Sequence, residues 1–313
     1  MQPTEDSRLY KYVGPSYLGK VLAERRSISI RCSLPREFSD PYELFLTIRF
    51  DTEPELLAYY ADLIGEIVQR PTTCFSRRPD VVPMWAHYAE GLRGAVLELD
   101  ESRLSAVFPK SSFGDVEYRE KPDPRLNAML EFAHGTQKFR HSRHLILAVL
   151  GAAYFTKSAT WAYELERRMI VDTDDLVERE GVQLLLAPTA CATAMIAGPR
   201  ASEETKALLR ASARAAGCGY FEMRIGRSSA TPYFVTVDGE PYRFSAGRLT
   251  AAEYYCERCH EPLESGEECS WCRITDSMRT EASRDNPLRL LEDMGMLEGY
   301  FESARKIDDS LES

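Results

Sequence analysis

A chain of 313 residues, 44% hydrophobic and 28% charged, can bury a full core and carry a small appendage. It has no run of about 18 apolar residues to cross a membrane and no apolar segment near its start to act as a secretory leader, so a soluble, cytoplasmic protein without a membrane partner is expected. The net charge of −10 is concentrated at one end: residues 251–313 hold 7 Lys and Arg against 16 Asp and Glu, which argues against that tail as a phosphate-binding surface.

In chain order, residues 9–13 (Leu-Tyr-Lys-Tyr-Val) read as a short strand, aromatic and β-branched. Ser16 is placed to cap a helix over 17–25, and 27–32 alternates polar and apolar residues as a half-buried strand does. Asp40-Pro41 marks a loop over 38–43. Leu56, Leu57, Tyr60, Leu63, Ile64, Ile67 and Val68 recur at helical spacing and predict a helix over 54–70. A strand over 73–76, one or two helical turns over 84–90, and strands over 94–99 and 116–118 follow. Residues 125–155 read as helix, broken near Gly135. Strands are expected at 164–171, 182–186, 192–197 and 220–225, with a Ser202-capped helix to about Ala215 between the last two. A hairpin over 232–242 turns at Asp238-Gly239. Leu288, Leu290, Leu291, Met294, Leu297, Tyr300 and Phe301 predict one amphipathic helix at the end. The fold class is α+β, a mixed sheet with flanking helices. It is expected as a core over 1–245, a ribbon over 246–280 and an acidic helix over 281–313.

The sharpest chemical signal is Cys256-x-x-Cys259 and Cys269-x-x-Cys272, separated by nine residues. Each Cys-x-x-Cys turn sets two thiolates on one side of a knuckle, and two facing knuckles supply the four-sulfur tetrahedron that Zn²⁺ prefers. Four thiolates leave no open position for a catalytic water, so this zinc is structural. Two disulfides, a redox motif, or His260 in place of one thiolate are the alternatives. The scattered Cys32, Cys74, Cys191 and Cys218 suit a reducing compartment. Because the ribbon is acidic, it and the terminal helix read as a docking surface for a protein partner; nucleic acid enters only as an acceptor elsewhere.

In the core, Glu164 and Glu166 stand two apart, so on a strand both side chains share a face, flanked by Lys157, Trp161 and Arg168. The bland alternative is a solvated strand edge with cross-strand ion pairs involving Arg167 and Arg168. Trp85 and Trp161 also suit core anchors, and His87 a hydrogen-bonded core histidine.

Four stretches resemble a widespread bacterial family, the domain of unknown function numbered 2971. They are Leu9-Tyr10-Lys11-Tyr12, Phe38-Ser39-Asp40-Pro41-Tyr42-Glu43, Met84-Trp85-Ala86-His87-Tyr88-Ala89 with Gly94, and Lys157-Ser158-x-x-Trp161-x-Tyr163-Glu164-x-Glu166-x-Arg168. Ser39 and Tyr42 replace the family's usual Asn and Phe, and the resemblance spans about residues 9–225. The order of motifs is also similar to that of ADP-ribosyltransferases, including branches that modify DNA. This resemblance implies an NAD⁺ substrate, Glu166 as the catalytic carboxylate and Glu164 as the group that orients or deprotonates the acceptor. It further implies Lys11, Tyr12, Ser76, Trp85, His87, Tyr88, Lys157, Trp161 and Arg168 around the nucleotide. Lys11 or Tyr12 stands where those enzymes carry His or Arg. The setting it implies is a toxin or a phage defence. Two other classes stay open: a non-catalytic nucleotide- or protein-binding module, and a nucleic-acid enzyme holding Mg²⁺ on Asp40, Glu43, Glu164 and Glu166.

Overall fold

The computed structural model describes residues 7–38, 40, 47–65 and 67–311, with side chains to residue 306. The chain divides into two compact units, Met1–Ala252 and Glu253–Ser313. No helix among the described residues is long and apolar enough to cross a membrane.

The first unit opens with β1 (Arg8–Val13), α1 (Pro15–Val21), β2 (Ser27–Cys32), α2 (Pro54–Gly65), β3 (Thr72–Ser76) and α3 (Val82–Tyr88). It continues through β4 (Ala95–Asp100), α4 (Glu101–Val107), β5 (Ser112–Asp115), β6 (Glu117–Arg119), α5 (Pro124–Thr136) and α6 (Phe139–Phe155). After β7 (Thr156–Ser158) come β8 (Glu166–Ile170), β9 (Leu176–Arg179), β10 (Val182–Pro188) and β11 (Ala192–Ala197). The unit closes with α7 (Glu203–Ala216), β12 (Gly219–Arg224), β13 (Tyr233–Val235), β14 (Pro241–Ser245) and β15 (Arg248–Ala251).

Ten of these strands form one mixed sheet in the order β15-β14-β13-β12-β11-β4-β1-β3-β8-β5. β11 and β12 run parallel because α7 crosses between them; its start is capped by the Ser202 hydroxyl, and it ends at Gly217 in the left-handed conformation. A second sheet, β2-β10-β9, packs under the first. Alternation along β1 divides the core: Leu9 and Val13 face the layer shared with β2 and β10, while Tyr10 and Tyr12 face Trp85 of α3 and Phe234. Three helices, α2, α5 and α6, share a separate apolar cluster around Leu130 and Leu145.

Several expectations are corrected. α1 starts at Pro15 with Gly14 as its N-cap, and the Ser16 hydroxyl instead donates to Glu90. The helix from Pro54 is described to Gly65, and residues 67–71 are not helical, so the expected last turn with Ile67 and Val68 does not form; Pro71 disfavours helix at Arg70. The break in 125–155 falls at Gln137, in the left-handed conformation, rather than at Gly135. Part of the expected loop, Ser39 and residues 41–43, lies outside the described residues.

The second unit holds β16 (Tyr254–Tyr255), β17 (Pro262–Leu263), α8 (Asp276–Arg284), α9 (Pro287–Asp293) and α10 (Leu297–Leu311). The single terminal helix expected from apolar spacing is therefore two, divided at Gly295, whose φ of +67° ends α9. The first unit runs to Ala252 because β15 pairs with β14.

Candidate functional site

The large sheet is split at its centre. β1 pairs with β4 over six residues and β3 with β8 over five, but β1 and β3 meet only at Tyr10 opposite Ser76. Past that point the two strands part, and a cavity of about 330 Å³ opens between them. Lys11 lines it from one face of the sheet and Tyr12 and Met84 from the other. Lys11 fills the gap left by the ladder. Its ammonium donates to the Thr73 hydroxyl and the Cys74 carbonyl, both at 2.9 Å, the latter an acceptor that a continuous β1–β3 pairing would have satisfied.

Glu164 and Glu166 reach the cavity by a route that alternation alone does not give. Glu164 ends a short 3₁₀ turn (Ala159–Glu164), Leu165 takes the left-handed conformation at φ +46°, and Glu166 begins β8. A leucine there is strained, and Leu165 is exposed, so the turn serves the two carboxylates rather than packing. Both glutamates are buried, at 3% and 5% exposure, and Arg168 is fully buried, so these residues form no solvated edge.

The charges are matched closely. Lys157 Nζ lies 2.7 Å from Glu164 Oε2 and 3.5 Å from Glu166 Oε2, and sits 4.8 Å from the ring centroid of Trp161. Arg168 Nε donates to Glu166 Oε1 at 2.9 Å, and a second Arg168 nitrogen to the Tyr154 carbonyl. Tyr88 donates its hydroxyl to Glu164 Oε1 at 2.5 Å, and Ser76 donates to the Glu164 carbonyl. Burial opposes the charge on Glu166, but Arg168, Lys157 and the Cys74 thiol outweigh it and hold the carboxyl below its usual range. Lys157 is likewise depressed by burial, yet Glu166 and Glu164 raise it above the usual lysine value. Burial first, then Glu164, pushes the Tyr88 phenol up, so it stays a proton donor.

Of the residues expected from sequence, Lys11, Tyr12, Ser76 and Tyr88 line the cavity, as do Lys157, Trp161, Glu164 and Glu166. Arg168 stands behind Glu166 as its counter-ion. Trp85 and His87 do not line it. Trp85 is a fully buried anchor, edge-on to Tyr12 and donating to the Pro79 carbonyl, and His87 lies exposed beside Tyr163. Reading the sequence missed Arg31 and Ser33 on and after β2, Thr73 and Cys74 on β3, and Tyr118, which accepts from the Glu166 amide. No motif marks them; only the β2–β3 bridge at Ser33 and Thr72 brings the first pair to the cavity.

In the second unit the sulfurs of Cys256, Cys259, Cys269 and Cys272 all lie within 4.8 Å of one another, and Cys259 and Cys269 are 3.9 Å apart. A tetrahedron with metal–sulfur bonds of about 2.3 Å has edges of about 3.8 Å, so the cluster is positioned to hold a metal ion. The Cys272 amide donates to Cys269 Sγ, the hydrogen bond expected of a Cys-x-x-Cys knuckle. His260 is turned by a φ of +60° to stack on Tyr255.

Residues 84–169 match the model of a family described as a protein of unknown function, DUF2971; they span α3 to β8 and so include the Lys157–Arg168 segment. No curated protein and no solved structure matches the chain.

Proposed function

We propose that the cavity binds NAD⁺ and that the protein transfers its ADP-ribosyl group to an acceptor. The observation that carries this reading is Glu166: a buried carboxylate held ionised by Arg168 and Lys157, at the first residue of β8, on a cavity between β1 and β3. In the reaction the C1′–nitrogen bond of the nicotinamide ribose breaks, nicotinamide leaves with the bonding pair, and positive charge develops on the ribose. A fixed carboxylate at the 2′-hydroxyl stabilises that charge without reorganising. The acceptor nucleophile then bonds to C1′ and gives its proton to Glu164. Tyr12, Tyr88 and Trp161 supply aromatic walls for the nicotinamide.

The acceptor is a macromolecule or water, nucleic acid included, and the setting is a cytoplasmic toxin or defence system. Zinc is the ion of the four-cysteine cluster, and the acidic ribbon and helices dock a protein partner. A binding module without chemistry is the second reading, favoured by the complete pairing of Glu164 and Glu166 with cations. The same pairing counts against Mg²⁺ on these carboxylates, since the metal would displace a buried ammonium. The test is nicotinamide release from NAD⁺ by purified protein and its Glu166→Gln variant, with lysate as a source of acceptors. Release that needs Glu166 supports the transferase; its absence from folded, metal-loaded protein favours the binding module.

A further inference from the structure

The carboxylates at the β8 side of the cavity are matched by cations, whereas the cations at the β1–β2 side are not matched by carboxylates. Lys11 donates to a hydroxyl and a carbonyl, both neutral, and an ammonium has a third proton to give. Arg31 of β2 donates its Nε to the Ser33 hydroxyl at 3.2 Å, leaving the fork of its guanidinium uncommitted. Among the described residues, neither cation is paired with a carboxylate. Glu37 lines the same wall but turns its carboxylate back to the Leu34 amide. The two cations feel one another. The charge on Lys11 is disfavoured foremost by burial; Cys74, Cys32 and Glu166 favour it without offsetting that cost, and Arg31 adds a smaller opposing push. Holding two unmatched like charges at a cavity wall costs free energy that an anion would remove.

We propose that Lys11 and Arg31, with the hydroxyls of Ser33 and Thr73, form an anion subsite that seats the phosphate-bearing part of the ligand. Arg31 supplies the planar fork that matches two phosphate oxygens, and Lys11 a point charge beside it. The ligand is thereby oriented: its anionic part lies against β1 and β2, and its part that becomes cationic lies against Glu166 on β8. That the anion is the diphosphate of a dinucleotide rests on the NAD⁺ reading; the anion site itself does not.

The test is calorimetric titration of the full, metal-loaded chain with inorganic pyrophosphate and with ADP-ribose, and with adenosine as the uncharged control. Pyrophosphate and ADP-ribose should bind the wild type, and each of Lys11→Met and Arg31→Ala should weaken them by about tenfold or more. Adenosine should not distinguish the three proteins. Arg31 is exposed and its replacement leaves the core intact, so it carries the test should Lys11→Met fail to fold. Equal pyrophosphate affinity in wild type and Arg31→Ala, or no binding to the wild type, overturns the subsite. If that occurs while Glu166-dependent nicotinamide release persists, the subsite fails and the NAD⁺ reading survives. If pyrophosphate binding requires both cations and no nicotinamide is released, the subsite stands and the NAD⁺ reading fails.

Discussion

Glu166 illustrates how a single residue is made useful at the expense of solvation. Its pKa is set by a contest that burial alone would win, and Arg168 and Lys157 reverse the outcome. Because the folded value lies below the unfolded carboxylate value of about 4.3, the ionised form stabilises the fold. That stabilisation is complete above the unfolded value and is lost as pH falls through it toward the folded one. Glu166→Gln should therefore lower stability by about 3 kcal/mol near neutral pH, by leaving cations less well paired. Below the unfolded value the unfolded chain takes up a proton more readily than the fold does, so the wild type loses this stabilisation and the difference should shrink. Urea midpoints of both proteins at pH 7 and near pH 3.5 check this; a difference that does not change with pH would mean that Glu166 is not ionised in the fold. The carboxylate pair was legible in the sequence as residue types, and its burial was not. Nothing in Glu-x-Glu-x-Arg distinguishes a solvated edge from a buried network. The deciding partners, Lys157, Tyr88 and Ser76, come from other elements.

At the scale of elements, the cavity exists because two well-paired strand groups touch at only one register position. The turn that follows α3 fixes one of them. Glu90, Gly91 and Leu92 are all left-handed, and the chain then brings Gly94 against β1, where an added Cβ would stand 2.1 Å from the Val13 carbonyl oxygen. Backbone cannot yield as a flexible side chain can, so Gly94→Ala should destabilise the protein by at least about 2 kcal/mol in urea unfolding. The bend at Leu165 makes the opposite prediction. Leu165→Gly should be neutral or stabilising by up to about 1 kcal/mol, whereas the β-branched Leu165→Val should cost about 1 kcal/mol. Thermal and urea unfolding of the pair decide it, and equal behaviour of Gly and Val would show that the bend carries no strain. Most strands were readable from alternation and β-branched content, β2 and β11 among them. What escaped was what neighbours decide. β5 and β9 are short and lack a strong period, and α9 and α10 share an apolar stripe that continues across the glycine dividing them.

For the whole molecule, the division at Ala252 separates a core stabilised by apolar burial from a unit of small elements around four cysteines. In the second unit large apolar side chains such as Leu288, Leu290 and Met294 are exposed, so a metal ion held by the four cysteines would take the place of a core. Elemental analysis should give about one zinc per chain in the wild type and none in Cys256→Ser. Loss of zinc should remove the ordered signal of residues 253–313 while the urea transition of the first unit stays in place. A core transition that moves with metal content would contradict two independent units. The cysteine spacing announced this site outright, because metal coordination needs few residue types at short range. The cavity needed the fold, because its walls are drawn from β1, β2, β3 and the β7–β8 turn, far apart in sequence.

Whether Glu166 performs chemistry is decided by nicotinamide release from NAD⁺, wild type against Glu166→Gln, with both proteins shown to be folded and zinc-loaded. The wild type should release nicotinamide, and the variant should lose at least about a hundredfold of that rate. Release that is undiminished in Glu166→Gln would contradict a catalytic role for Glu166.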